Sequence, residues 1–305
     1  MIVELYKKYR PKLFKHVIGQ KETCDTLQNF ISAKKVPHTI LFSGPSGCGK
    51  TTLARIVAKK IECHDMDLVE INAASTRGID KMRSIQSDMS MAPLSGACRV
   101  WIIDEVHKLT SDAQSSMLKP LEDTPKKAYF FLCTTITKKL LSTIRTRSTE
   151  LKVRLLTEDE ILKLLHYVAM KEGRNMYGSV ADKIVEFAEG SARKALVLLG
   201  QVIDMDDGEK KQLASLQPPE TEKQILDLCR VIVNPRSTFR ECAAILRKLD
   251  EDPETIRHSI LGYMDTVLLS KGDQRSFKVI DCLRQDTMSS GRAGLHASIY
   301  EVYLK

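Results

Sequence analysis

The residues with the clearest chemistry lie between Gly44 and Thr51, which read G-P-S-G-C-G-K-T. This segment fits the pattern G-x-x-x-x-G-K-[S/T], in which successive backbone N–H groups turn inward around an anionic phosphate chain. The glycines allow these turns, Lys50 can reach β- and γ-phosphates, and the Thr51 hydroxyl can bind Mg²⁺. We therefore predict a phosphate-binding loop formed by Gly44, Pro45, Ser46, Gly47, Cys48, Gly49, Lys50, Thr51 and Thr52.

A second motif joins the apolar, β-prone run 100–103 to two carboxylates, Asp104 and Glu105. A continuous apolar strand suits a parallel sheet covered on both faces, and ligands lie at the carboxyl ends of such strands. Beside the phosphate loop, Asp104 is expected to join the Mg²⁺ shell and Glu105 to orient and polarise an attacking water. The alternative is an ordinary strand that ends in solvated acids; the upstream phosphate loop favours the functional interpretation.

The elements around these motifs follow the order strand, loop and helix. Residues 39–43 form an apolar run before the phosphate loop, and residues 53–60 are helix-forming. A further run, 129–135, ends in Thr134 and Thr135, one of which is expected near the γ-phosphate. Alternatively, these two hydroxyls satisfy backbone groups of a turn. Together with apolar runs at 68–71 and 151–155, the pattern predicts an α/β fold with a parallel sheet.

From Thr157 onward the pattern predicts helices only. Residues 157–160 read T-E-D-E, a capping box that begins a helix. We predict helices at about 158–172, 178–189 and 192–204, a linker over residues 204–219, and about five further helices between residues 220 and 305.

Composition limits the class of protein. The chain has 305 residues, enough for two or three domains. It contains neither an apolar run near the ~20 residues of a membrane span nor a signal-like N-terminus, so we expect a cytoplasmic protein. The net charge of +8 fits contact with nucleic acid, although a solvated basic surface would look the same. Eight cysteines without a C-x-x-C pair predict neither a zinc site nor a disulfide framework.

Six motifs in order resemble those of AAA+ clamp-loader ATPase subunits, first the bacterial tau/gamma type and its phage relatives, then the small subunits of replication factor C. The resemblance covers about residues 9–199, and the last hundred or so residues match only in length and helical character. The motifs are Lys8-Tyr-Arg-Pro11 with Val17-Ile-Gly-Gln20, Gly44-Pro-Ser-Gly-Cys-Gly-Lys-Thr51, Asn72-Ala-Ala-Ser-Thr-Arg-Gly-Ile-Asp80, Ile103-Asp-Glu-Val-His-Lys-Leu-Thr110, Thr143-Ile-Arg-Thr-Arg147 and Gly190-Ser-Ala-Arg-Lys-Ala-Leu196.

The resemblance implies a P-loop AAA+ core with a five-stranded parallel sheet, followed by a helical lid and an all-α collar that assembles subunits. The expected domains are 1–155 for the core, 156–208 for the lid and 218–305 for the collar. The tau/gamma proteins carry a four-cysteine zinc module after the first helix of the core. Residues 60–66 are too short to hold it, so we expect no zinc and a trimmed, phage-type or replication-factor-C-like version.

The resemblance also implies roles for single residues. Arg147 matches the arginine finger that enters the neighbouring subunit's ATP site, although its flanks differ from the family's Ser-Arg-Cys. Arg193 matches the lid's sensor arginine, which contacts the γ-phosphate, and Thr135 lies at or beside the first sensor position. The segment that wraps adenine and ribose matches Tyr9, Arg10, Pro11, Val17 and Ile18, with simple packing of the N-terminus as the alternative.

Two further arginines carry more open roles. Arg77 matches a basic switch position that restrains the catalytic glutamate until DNA binds. Arg83 either meets DNA phosphate in a sequence-independent, salt-sensitive contact or lies on a solvated helix face.

The implied function is that of an ATP- and Mg²⁺-dependent clamp-loader subunit. Its expected partners are other clamp-loader subunits, in a pentamer as in clamp loaders generally, a sliding clamp and primer-template DNA. One alternative is a catalytically silent subunit, which would lose Lys50, Glu105 or Arg147. The other is a different AAA+ remodeller, such as a branch-migration motor or helicase loader, which would lack the 73–80 stretch and the collar.

Overall fold

The structure is a computed structural model that describes residues 4–74, 85, 88–89, 91–205, 208–216, 220–249, 251–286 and 290–304. Most of the helix predicted at 79–91 lies outside these residues, as do Arg77 and Arg83. The chain divides into two compact units, Met1–Leu216 and Gln217–Lys305. None of the helices that the structure describes combines the length and apolarity needed to cross a membrane.

The first unit is built on one parallel sheet. Its strands are β1 Thr39–Ser43, β2 Leu68–Asn72, β3 Arg99–Asp104, β4 Ala128–Thr134 and β5 Thr149–Lys152. They lie in the order β2-β3-β4-β1-β5, and every neighbouring pair is parallel. This confirms the predicted five-stranded parallel sheet, in which β4 separates the two strands that precede the phosphate loop and the carboxylate pair.

The last strand begins and ends earlier than the predicted 151–155 run. The Val153 N–H still donates to the Ser43 carbonyl at 2.7 Å, and then the chain turns away. The Leu156 N–H donates to the Gly190 carbonyl at 2.9 Å, so Leu156 contacts the segment before a later helix and does not extend β5.

Both faces of the sheet are covered, which explains its continuous apolar strands. On one face Trp101 and Phe130 stack with ring centroids 5.1 Å apart. On the other face Phe42 and Phe131 meet edge to face at 6.3 Å. Because side chains alternate along a strand, each strand needs apolar residues at successive positions to fill both cores.

The described helices of the first unit cover the sheet and then form a helical layer of their own. They are α1 Leu5–Lys8, α2 Lys21–Ser32, α3 Lys50–Lys60, α4 Ser111–Glu122, α5 Ser142–Thr146, α6 Glu158–Lys171, α7 Gly178–Ala188, α8 Ala192–Val202 and α9 Glu209–Ser215. At α6 the predicted capping box is present: the Glu160 N–H donates to Thr157 Oγ1 at 3.3 Å, and the Thr157 N–H donates to Glu160 Oε2 at 3.0 Å.

The segment predicted to be a linker contains helix α9. Leu213 and Leu216 lie three residues apart and pack against the apolar cluster shared by α6, α7 and α8. The linker prediction was therefore wrong for residues 209–215. The sequence of this stretch is polar, with Lys210, Lys211 and Gln212 between Gly208 and Pro218. Two leucines at helical spacing are nevertheless enough to dock one short helix.

The regular elements described in the second unit are all helices. Its helices are α10 Glu220–Val233, α11 Phe239–Leu246, α12 Pro253–Lys271, α13 Gln274–Cys282 and α14 Gly291–Leu304. They share an apolar core that includes Leu228, Ile260 and Ile299. The predicted number of about five helices is confirmed over the described residues. Pro253 begins α12, and Gly272 ends it in the left-handed conformation, with φ 61°.

Candidate active site

A cavity of about 510 Å³ opens in the first unit at the carboxyl ends of β1 and β3. This volume lies within the range of small-molecule sites, roughly 300–1,000 Å³. Most residues predicted to bind nucleotide line this single cavity. They are Tyr9, Arg10, Pro11, Val17, Ile18, Ser46, Gly47, Cys48, Gly49, Lys50, Thr51, Thr52, Asp104, Glu105 and Arg193.

The phosphate loop joins β1 to α3, and neighbouring elements approach its backbone closely. A Cβ on Gly44 would lie 1.9 Å from the Val153 carbonyl oxygen. A Cβ on Gly47, whose φ is +74°, would lie 2.2 Å from Ser191 Oγ. These two glycines are therefore required by the residue that follows β5 and the residue that precedes α8, in addition to any approach by a phosphate.

Lys50 is 5% exposed and lies inside the curl of the loop. Its ammonium donates to the carbonyls of Gly44 and Pro45, both at 2.7 Å. Gly44 and Pro45 thus belong to the site through their carbonyls, although they do not line the cavity. The contacts place the positive charge where the backbone pattern predicts the phosphate chain.

Two hard oxygen donors meet between α3 and β3. The Thr51 hydroxyl donates to Asp104 Oδ2 at 2.9 Å, and Asp104 Oδ1 accepts the Glu105 N–H at 3.0 Å. A hydroxyl and a carboxylate are donors that Mg²⁺ prefers, usually with several waters and phosphate oxygens completing its shell. The donor set therefore fits the predicted metal.

Glu105 follows β3 in the left-handed conformation, with φ 53°. Burial, and next the neighbouring Asp104 charge, raise the pKa of its carboxyl above the ordinary value. Thr135 Oγ1 lies 3.5 Å from Glu105 Oε2, a long contact between the ends of β3 and β4. Thr134 is fully buried and instead contacts a histidine, so of the two threonines only Thr135 approaches the carboxylate.

The apolar end of the cavity combines the N-terminal segment with the helical layer. The Tyr9 hydroxyl donates to Glu172 Oε1 at 2.5 Å, and the Tyr9 ring meets Tyr167 edge to face at 6.4 Å. Sequence reasoning missed the residues of α6 and α8 that line this end, namely Leu164, Tyr167, Ala192 and Leu196. Their apolar spacing is the same for a packing face and for a ligand-binding wall, so no local signal separates the two.

The two arginines predicted to act at a γ-phosphate lie in different places. Arg193 lines the cavity from the start of α8, with its guanidinium carbon 5.8 Å from the Tyr6 ring centroid. Arg147 follows α5 and is not among the cavity-lining residues. Its Nη2 pairs with the Glu122 carboxylate and its Nη1 donates to the Thr143 carbonyl at 3.2 Å. The roles of both arginines stay predictions.

Comparisons with known proteins agree with the motifs. Residues 64–157 match the family described as DNA polymerase III, delta subunit, and residues 3–93 match the Rad17 P-loop domain. The chain is 32% identical over 225 residues to DNA polymerase III subunit gamma of Buchnera aphidicola, covering 67% of this chain and 62% of that protein. It is 34% identical over 220 residues to subunit tau of Bacillus subtilis, covering 65% of this chain and 39% of the relative. The chain thus spans less than two thirds of either relative.

The fold has close counterparts among solved structures. The RuvB Holliday junction branch migration motor of Thermotoga maritima superposes with a TM-score of 0.61, covering 77% of this chain and 84% of the other, at 21% identity. At that identity the likeness shows the fold alone. Sheet order, phosphate loop and carboxylate pair together define a P-loop NTPase fold of the AAA+ class. Over about two thirds of its length the chain is similar in sequence to polymerase III gamma and tau subunits, which agrees with the clamp-loader resemblance of its motifs.

Proposed function

We propose that this chain is an ATP-hydrolysing subunit of a sliding-clamp loader in DNA replication. ATP binding arranges the assembled subunits to engage a clamp and primer-template DNA, and hydrolysis releases both. The observation that carries the proposal is that the phosphate loop, the Thr51–Asp104 pair and Glu105 share one cavity, in a chain about one third identical to polymerase III gamma and tau subunits.

The residues of the cavity have distinct proposed roles. Lys50 binds the β- and γ-phosphates from inside the loop. Thr51 and Asp104 would hold Mg²⁺, which would supply positive charge that offsets the charge of the phosphates. Glu105 orients and polarises the attacking water. Its raised pKa makes the carboxylate a stronger base toward the proton of that water. Thr135 and Arg193 contact the γ-phosphate.

The remaining roles require assembly. Arg147 serves a neighbouring subunit's site, because its position outside the cavity of its own chain leaves it available to another. We assign residues 1–155 to the ATPase core, 156–208 to the lid and 218–305 to the collar that joins subunits, in a pentamer. Arg77 acts as a DNA-responsive switch on Glu105, and Arg83 contacts DNA phosphate. The proposed setting is the cytoplasm, without zinc.

The test is ATP hydrolysis by the full chain with its partner subunits, in the presence of different DNA effectors. A clamp-loader subunit is expected to hydrolyse ATP faster with primer-template DNA plus a ring-shaped clamp than with either alone. Stimulation by four-way junctions instead, with no response to the clamp, would assign the chain to branch migration. A complex that binds ATP but never hydrolyses it would identify a silent structural subunit.

A further inference from the structure

His107 is a buried residue beside the carboxylate pair for which sequence reasoning predicted no role. It lies in the short 3₁₀ turn Val106–Lys108, immediately after β3 and Glu105. Its side chain is 2% exposed, and neither it nor Thr134 is among the residues that line the cavity. Any influence of His107 on bound nucleotide therefore passes through another residue.

The imidazole joins the end of β3 to the end of β4. Its Nε2 lies 3.4 Å from Glu105 Oε2, and its Nδ1 lies 3.0 Å from the Thr134 hydroxyl oxygen. Since Thr134 is the last residue of β4, the ring spans the two neighbouring strands below the carboxylate. The Lys108 N–H donates to the Glu105 carbonyl at 2.7 Å, which closes the turn and returns His107 towards Glu105.

The hydrogen-bond partners of the imidazole determine which of its two nitrogens carries the proton. An ionised carboxylate only accepts, so the Nε2 that faces Glu105 carries a proton. In the neutral ring Nδ1 then accepts, and the Thr134 hydroxyl donates to it. The same hydroxyl oxygen accepts the Ile136 N–H at 3.1 Å. A chain of polar contacts thus runs from the backbone after β4 to the Glu105 carboxylate, each member orienting the next.

Glu105 is consequently bound to the end of β4 in two ways. Thr135 contacts Oε2 directly at 3.5 Å, and His107 contacts the same oxygen through the buried route from Thr134. Glu105 itself is partly exposed and has three side-chain torsions, so without such contacts its carboxylate would sample several orientations. Misplacing a catalytic group by about 1 Å costs on the order of 100-fold in rate.

We propose that His107 is a positioning residue: braced by Thr134, it holds the Glu105 carboxylate in the orientation that polarises the attacking water. The inference rests on the proposed function, because Glu105 has that role only in an ATP-hydrolysing subunit. His107 itself touches neither nucleotide nor water in this scheme. Its contribution therefore belongs to the chemical step and not to nucleotide affinity.

The test compares His107→Ala, His107→Gln and Thr134→Val in the full chain with its partner subunits, clamp and primer-template DNA. We expect His107→Ala to lower kcat about 10- to 100-fold, while KM and the Kd for ATP stay within about twofold, because only the orientation of Glu105 changes. His107→Gln keeps an N–H donor of similar reach and is expected to recover part of the rate. Thr134→Val, which removes the brace but keeps the volume, is expected to lower kcat with the same unchanged Kd.

A matched control and a double variant make the outcome decisive. The control is His38→Gln. The Nδ1 of His38 contacts the Ala128 carbonyl at the opposite end of the sheet, so the kcat of this variant is expected to stay unchanged. His107→Ala added to Glu105→Gln is expected to cost nothing further, since both changes act on one group. If His107→Ala does not fold, His107→Gln and Thr134→Val still decide.

Three results would overturn the inference. They are wild-type kcat in all His107 and Thr134 variants, a loss of rate matched by the loss of ATP affinity, or a full additional loss on the Glu105→Gln background. Each of these results is distinguishable from failure of the proposed function itself. If the proposed function fails, the wild-type complex binds ATP without hydrolysing it, and both proposals are then wrong.

Discussion

Two regions of the first unit each contain an arginine with a predicted role at a γ-phosphate: the cavity beside the phosphate loop contains Arg193, and the turn after α5 contains Arg147. Arg193 is predicted to act on the nucleotide of its own chain and Arg147 on that of a neighbouring subunit. Arg193 lines the cavity together with the phosphate loop and both carboxylates. Arg147 lies outside the cavity, 31% exposed, and pairs with a Glu122 carboxylate that is 55% exposed. The first region is assembled within one chain, whereas the second presents a cation at the surface of the same unit.

This difference bears on what a single chain can do. The cavity brings together groups for phosphate binding, metal binding and water activation, so nucleotide binding requires no second protein in the proposed scheme. The transition-state cation predicted at Arg147 requires a neighbouring subunit. Binding and hydrolysis are thus expected to separate experimentally, and substitutions in the two regions test that separation.

The largest effect is expected inside the cavity, for Lys50→Ala. Removing the buried ammonium from the loop eliminates the positive charge that faces the phosphates, and we expect loss of ATP binding by at least about 100-fold in Kd. Titration with a fluorescent ATP analogue measures it. Lys60→Ala, at the exposed end of the same helix, is the control and should bind normally. Tight ATP binding by Lys50→Ala would contradict the assignment of the loop.

The second effect is expected in the other region, for Arg147→Ala. ATP binding should be unchanged, and kcat of the assembled complex should fall by roughly 10³- to 10⁵-fold, the range for arginine fingers. Arg145→Ala changes an exposed arginine in the preceding helix and should have little effect. Equal hydrolysis by wild type and Arg147→Ala would remove the proposed distinction between the two regions.

Mixing variants sharpens the comparison by asking whether the two regions act across an interface. Glu105→Gln and Arg147→Ala chains are each expected to keep only a small residual rate when assembled alone. In mixed complexes an intact Glu105 from one chain can meet an intact Arg147 from the other, so partial ATPase activity should return. The measurement is hydrolysis as a function of mixing ratio. Absence of activity at every ratio would mean that Glu105 and Arg147 of one chain act in that chain's own site, or that Arg147 is not an arginine finger.

The smallest effect is expected for Glu122→Gln, which releases Arg147 from its partner in the same chain. Exposed ion pairs contribute about 0.2–1 kcal/mol, so kcat of the complex should rise by no more than about fivefold. The free energy of unfolding should fall by less than about 1 kcal/mol for the same reason. Asp123→Asn, next to it in sequence, is the control for local charge. A fall in kcat would mean that Glu122 supports the arginine instead of restraining it.

Local patterns predicted the regular elements of this protein well, and the failures are informative. Both faces of the sheet are buried, so each strand appears in the sequence as an unbroken apolar run. A capping box begins a helix through contacts within four residues, so it is also visible in the sequence. Helix α9 was missed because Leu213, within it, and Leu216, immediately after it, lie among polar neighbours. The pairing of Arg147 with Glu122 joins residues 25 positions apart and has no local signature.

The candidate site shows the same division at the level of single residues. Lys50, Asp104 and Glu105 are recognisable because their chemistry depends on backbone turns and strand ends encoded beside them. His107 lies within the quoted Ile103–Thr110 motif, but the contact of its ring with Thr134 joins residues 27 positions apart and has no local signature. The choice between Thr134 and Thr135 likewise depended on which hydroxyl faces Glu105 and which is buried.

The sequence by itself determined the elements and the phosphate loop, because helix caps, strand periodicity and glycine turns depend on residues a few positions apart. The tertiary structure alone decided which elements became neighbours: β4 lies between β1 and β3, and its end therefore meets both the loop and the carboxylates. That order arises from burying both faces of one sheet at once. It is a property of the whole unit, which no short stretch of residues encodes.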